Sequence, residues 1–198
     1  MKLITWFLIV GMGLAVASCS QTQKQTVPST VDAQTLTQTR DVASQLVTRL
    51  GARLKQEIAS NGPASAVDVC QIAAPEIAED LSKQQGWQVG RVGTRVRNQN
   101  NQPNTWQQAA LAQFGKRAAK GEKFDAMETY DIVQLQGQNV MRYAKAIAVQ
   151  PMCVTCHGKA EQIPPDVKAR LQEKYPADQA IGYVAGELRG AVVIERPL

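Results

Sequence analysis

Histidine occurs once in this 198-residue chain, as His157. That scarcity excludes every site that needs two imidazoles. Aromatic residues make up only 5%, so a large ring-lined ligand pocket is not advertised. Beyond residue 30 every apolar run is short and broken by charge, which excludes a later helix long enough to span a bilayer. There is no internal repeat and no low-complexity segment. Charge of one sign is in small excess: the net +5 is scattered, implies no nucleic acid and names no acidic partner. The remainder, 44% hydrophobic and 20% charged, is the composition of an ordinary globular protein. The length suits one domain plus a leader.

The leader is read over residues 1–18 as a signal peptide. Lys2 supplies a thin positive start, and Leu3 to Ala17 is an uncharged, mostly apolar stretch too short to span a membrane. It ends in Val16-Ala17-Ser18-Cys19, which resembles the lipobox of bacterial lipoproteins, where the cysteine becomes the lipidated first residue. The alternative is a plain signal peptide with Cys19 a bystander. Either reading places the domain outside the cytoplasm, in a periplasm or thylakoid lumen, and the first adds attachment to the membrane. Residues 19–30 are polar and read as a tether. Removing residues 1–18 removes Lys2 and no acid, which leaves +4 from +5.

From Val31 to Ser60 the apolar residues Leu36, Ala43, Leu46, Leu50, Leu54 and Ile58 fall at helical spacing, and Asn61-Gly62-Pro63 stops the helix. A second helix is expected after Ser65, with Ser65 as N-cap, Asp68 as its capping-box acid and Pro75 as a kink or division. Residues 87–97 alternate as a strand. Trp106 to Ala119 reads as a helix, and Asn139–Val149 and Leu188–Glu195 as strands. Residues 31–198 thus form one α+β domain with an antiparallel sheet.

The chemistry is concentrated in Cys153-Val154-Thr155-Cys156-His157. Two thiols separated by two residues can add to the two vinyl groups of one haem, and the next residue brings an imidazole to the iron. With four cysteines and one histidine in 198 residues, chance produces this pattern roughly four times in ten thousand. A thioredoxin-like pair would want a βαβ setting, which Pro151 and Gly158-Lys159 do not supply. Zinc would need two further ligands, of which only Cys70 is at hand. A plain disulfide between Cys153 and Cys156 would suit an oxidising compartment. The motif therefore predicts one covalently bound haem c per chain. With no second histidine, the sixth iron ligand is Met127, Met141, Met152, Cys70 or none. Met152 abuts the haem cysteines, and Met141 alternates within a strand and reads as core. Cys70 is the odd thiol, either a small buried hydrophobe or a ligand, and its place early in a helix favours a thiolate.

At this point the residues are similar to a known family, the PAS-like single-haem c-type domain of a cyanobacterial exported cytochrome and of bacterial membrane sensors. The resemblance covers residues 40–196. It rests on Ala66-Val67-Asp68-Val69-Cys70, Ala74-Pro75-Glu76-Ile77-Ala78 and Gly90-Arg91-Val92-Gly93-Thr94-Arg95-Val96-Arg97-Asn98 with Pro103 and Trp106. Cys153 to Gly158, Tyr175-Pro176-Ala177-Asp178, Gly182-Tyr183, Gly186 and Arg189-Gly190 complete it. Two positions depart: Gln99 stands where the family usually has proline, and Gln107 where it often has an acid. The resemblance implies a PAS-like sheet with a long N-terminal helix and flanking helices, and it implies His157 and Cys70 as the two axial ligands. Arg91, Arg95 and Arg97 form a row that either partners the haem propionates or is a solvated strand face.

A thiolate ligand stabilises Fe(III), so the expected potential is low, and two closed axial positions disfavour oxygen turnover. The expected function is one-electron transfer to a redox partner on the exported side of a membrane. The alternative is a haem-based redox or gas sensor acting through a partner protein. Nothing in the sequence supplies a catalytic acid–base pair beside an open iron, so no enzyme is expected.

Overall fold

Helix α1 (Ala33–Asn61) opens the ordered part of residues 27–198, which the computed structural model describes. The expected signal peptide, Cys19 and most of the expected tether lie outside the described residues. The Asp32 side chain caps α1 by accepting from the Thr35 amide at 2.8 Å, and Gly62 ends it at φ 84°. The apolar stripe of α1 has two halves with different fates. Val42, Ala43 and Leu46 are buried in the core, whereas Leu50, Leu54 and Ile58 continue the same stripe yet stay half-exposed.

The second helical run divides as Pro75 predicts, by an unforeseen device. Helix α2 (Ala66–Asp68) passes into a π-turn over Val69–Ala73 and then into α3 (Ala74–Gln85). Inside a regular helix the proline ring would meet the carbonyl four residues back. Widening the turn shifts the carbonyl register, and Pro75 falls in the first turn of α3, where its missing N–H is no loss. The expected Ser65 cap does not form. Ser65 is itself helical and bonds the Gly62 carbonyl at 2.7 Å. Asp68 instead accepts from one nitrogen, Nη2 of Arg170, at both carboxylate oxygens, at 2.7 and 2.8 Å, an ion pair of opposite charges in place of the capping box.

Strands β1 (Gln88–Gly93), β2 (Glu128–Leu135), β3 (Gln138–Ala148) and β4 (Leu188–Pro197) form one antiparallel sheet in the order β1-β4-β3-β2. The strand expected over 87–97 stops at Gly93. There the chain doubles back so tightly that a Cβ on Gly93 would lie 2.8 Å from the Arg95 carbonyl oxygen. Helix α4 (Thr105–Ala118) begins with an Asn104–Gln107 capping box. Strand β2 escaped the sequence reading. It joins β3 through Gln136-Gly137, both at positive φ, 51° and 82°, the two-residue turn that matches strand twist.

One face of the sheet packs Val89, Met141, Tyr143, Val192 and Ile194 under α1 and α3. The other packs Val92, Ala144, Ala191 and Val193 under α4. Two short helices follow β3: α5 (Val154–His157) and α6 (Pro165–Lys174), the latter also missed from sequence. The α+β, PAS-like architecture expected from the sequence is the one found. At the end of β3, Ile147 pairs with Gly190 and Ala148 with Leu188. Arg189 is therefore the extra residue of a β-bulge, a device that re-aims a side chain. Among the described residues no helix is long and apolar enough to cross a membrane.

Candidate functional site

The half-exposed end of the α1 stripe has a purpose: it walls a cavity. Leu50, Leu54 and Ile58 line it from α1, Val67 and Cys70 from α2 and the π-turn, and Val92, Ile147 and Val192 from the sheet. Met152, Cys153, Cys156 and His157 close it. The fold thus gathers Cys70, Cys153, Cys156 and His157, far apart in sequence, on one largely apolar cavity. Met127 and Met141, two of the weighed sixth ligands, are fully buried in the opposite-face and α1-side cores and do not line it. Met152 does. All three thiols are unpaired. No group of three or more His, Cys, Asp or Glu among the described residues converges to hold a bare metal ion.

Cys70 is presented by the π-turn, the kind of helix irregularity that accumulates at functional sites. Cys153, Cys156 and His157 are presented by α5 and the turn before it, and Gly158 caps α5 at a point where any Cβ would collide with the Val154 carbonyl oxygen. A loop clamps this segment: the Gly182 and Tyr183 amides donate to the Gly158 and His157 carbonyls at 2.7 and 2.9 Å.

The histidine is held in one tautomer. Its Nδ1 lies 2.7 Å from the Ala180 carbonyl oxygen. A carbonyl only accepts, so Nδ1 carries the proton and Nε2 keeps its lone pair, the arrangement typical of a metal-ligating imidazole. Burial, reinforced by Arg97 and Arg189, holds the imidazolium pKa well below its ordinary value. The ring is neutral at physiological pH. Burial likewise pushes the Cys156 thiol up to about 11, against the opposing pull of Arg97.

Arg97 braces the site from behind. Only 7% exposed, it pairs with Asp178 at 3.0 Å and donates to the carbonyls of Cys156 and Ala180. Tyr183 stands edge-on to His157 with ring centroids 6.1 Å apart, and its hydroxyl bonds Thr94 at 2.7 Å and the Arg95 amide at 3.0 Å. Arg95 and Arg189 lie over the Tyr183 ring at 3.5 and 5.3 Å. Sequence reasoning assigned no role to Asp178, Ala180 or Tyr183. The only signal for Asp178 and Tyr183 was membership of the family's marks, and a backbone carbonyl leaves none.

These residues fit the group expected from the Cys153-to-His157 motif. The donor set pairs two thiols at vinyl spacing with an imidazole whose Nε2 is open, the cavity between them and Cys70 is apolar, and only arginines among charged residues line it.

The comparisons follow the same line. A family model described as Tll0287-like matches residues 18–197. The crystal structure of the cyanobacterial haem protein Tll0287 aligns at TM-score 0.63 and 27% identity, covering 84% of this chain and 97% of that one. No curated protein matches the chain.

Proposed function

Because this chain belongs to the Tll0287-like family, we propose that it is a c-type cytochrome that passes single electrons on the exported side of a membrane. One observation carries the reading: Cys70, Cys153, Cys156 and His157 converge on one apolar cavity, with the Nε2 of His157 unspent. That the solved relative is named a haem protein supports it.

A bound haem supplies a one-electron Fe(III)/Fe(II) couple whose potential a thiolate ligand lowers. The chain does the rest. Cys153 and Cys156 hold the group covalently. His157 would hold the iron through Nε2 while Ala180 fixes its ring, and Cys70 would offer it a thiolate. Leu50, Leu54 and Ile58 exclude water, which keeps the local dielectric low. With His157 and Cys70 both offered to its iron, a haem held here would serve the chain as a one-electron carrier for a redox partner protein. The protein sits in the periplasm or thylakoid lumen, attached through a lipid on Cys19.

Three measurements test this. The denatured chain should keep its haem on a gel and give a pyridine haemochrome lacking both vinyls, and Cys153→Ser or Cys156→Ser should lose most of the holoprotein. Haem extracted by acidified solvent overturns covalent attachment. Cys70→Ala should raise the potential and admit carbon monoxide to the iron; an unchanged ferric spectrum and potential removes Cys70 as ligand. Cys19→Ala should move the exported protein from the membrane to the soluble fraction. A wild-type chain that starts elsewhere and floats free contradicts the anchor.

A further inference from the structure

Four arginines line the cavity, Arg91, Arg95, Arg97 and Arg189, and no aspartate or glutamate does. Two of the four are neutralised: Arg97 by Asp178 at 3.0 Å and Arg95 by Glu187 at 3.1 Å. Arg91 and Arg189 have no carboxylate partner among the described residues. Among the described residues the one side-chain hydrogen bond of Arg189 runs to a neutral acceptor, the Arg95 carbonyl at 3.2 Å. Both side chains are half-buried, and they stand close enough that Arg91, with burial as the leading cause, pulls the Arg189 guanidinium below its ordinary value. A partly desolvated cation without a counter-charge is costly, and two side by side cost more.

The fold has gone to some length to place them there. Arg189 is the extra residue of the β4 bulge opposite Ile147 and Ala148. Its Nη1 comes so near Gly93 that a Cβ there would lie 2.8 Å from it. Gly190 beside it pairs with Gly93 so closely that a Cβ would collide with the Val92 carbonyl oxygen. A bulge and two glycines together deliver an uncompensated cation into an apolar cavity.

We propose that Arg91 and Arg189 form an anion subsite that takes the carboxylates of the cavity's occupant. On the haem reading, from which this inference proceeds, those carboxylates are the propionates, and the row Arg91, Arg95, Arg97 divides by role. Arg97 and Arg95 are spent on Asp178 and Glu187 and brace the walls; Arg91, with Arg189 from the neighbouring strand, recognises the ligand. Arginine suits this task because its planar fork matches a carboxylate with two donors and never loses its charge.

The test uses iron mesoporphyrin, whose ethyl groups cannot add to thiols, and its dimethyl ester, each titrated into the haem-free full chain. The unsubstituted chain should bind the free acid at least tenfold more tightly than the ester. Arg91→Leu and Arg189→Leu should each lose about tenfold for the free acid, the scale of one charge-assisted bond, and nothing for the ester. Arg189→Lys should recover most of the loss. Equal binding of acid and ester by the unsubstituted chain, or equal weakening of both in the Leu variants, overturns the subsite. Failure of both porphyrins to bind strikes the haem reading. In the matured holoprotein, where covalent attachment keeps the haem in place, the resonance Raman bending band of the propionates should shift in each Leu variant. An unshifted band in a haem-loaded variant refutes the subsite while the haem reading stands.

Discussion

Arg97 gives up nearly all its water on folding, and Asp178 is what makes that tolerable. The pair is 3.0 Å apart with side chains 6% and 11% exposed. Removing the carboxylate alone leaves a bare buried cation, so Asp178→Ala should cost about 3 kcal/mol in urea unfolding. Replacing both residues by leucine should cost less than the single change, because no unpaired charge is left behind; a double variant as unstable as Asp178→Ala contradicts this account. The same residues show what could be read at this scale. Cys153, Cys156 and His157 were legible because the motif they form lies within five consecutive positions. The acceptor that sets the histidine tautomer is a carbonyl 23 residues on, and no local spacing encodes it. Arg189 was legible as a family mark, but its bulge arises from a register shift between strands, which a linear pattern does not record.

The attachment of α1 to the sheet depends on a polar clasp. Arg40 on α1 pairs with Glu128 on β2, and Tyr143 on β3 donates its hydroxyl to the same carboxylate at 2.8 Å. Burial pushes the Glu128 carboxyl up, but the bonds from Arg40 and Tyr143 outweigh it, and the carboxyl titrates below its ordinary 4.5. Burial first, then the adjacent carboxylate, pushes the Tyr143 phenol far above its ordinary value, so it donates across the whole working range. A depressed carboxyl stabilises the fold fully above pH 4.5, and that stability is lost as pH falls through the lower, folded value. Glu128→Gln should therefore be less stable than the unsubstituted protein at neutral pH, and the gap should close on acidification below about pH 4.5. A gap of constant size between pH 3 and 7, read from unfolding free energies, would deny the clasp. The elements themselves were unequally visible. Helix α1 announced itself by a stripe from Leu36 to Ile58, sustained over about six turns. Strand β2 did not: it is a sheet edge with no fully buried residue, so Glu128 to Leu135 carries no clean alternation. Helix α6 buries only Val167 and Leu171, too few to mark a period. The Ser65 cap failed because Asp68 had a stronger partner 102 residues away.

At the scale of the molecule, β4 is the strand on which the sheet depends. It lies between β1 and β3 and pairs with both along most of its length. Deleting residues 188–198 leaves β1 with no neighbour and opens both cores, so the shortened chain should lose its cooperative urea transition altogether. A surviving sigmoidal transition would show that the helices and the β2–β3 hairpin hold together unaided. The position of β4 in the chain also orders events in time. A polypeptide delivered from its N-terminus exposes Cys153 and Cys156 before Leu188 arrives, and until that last strand slots in, the sheet wall of the cavity does not exist. During this interval the two thiols stand on open chain. Non-local closure is slow compared with local turns, so on the covalent-haem reading proposed above the strand order leaves a window for forming thioether bonds, which shuts when β4 is in place.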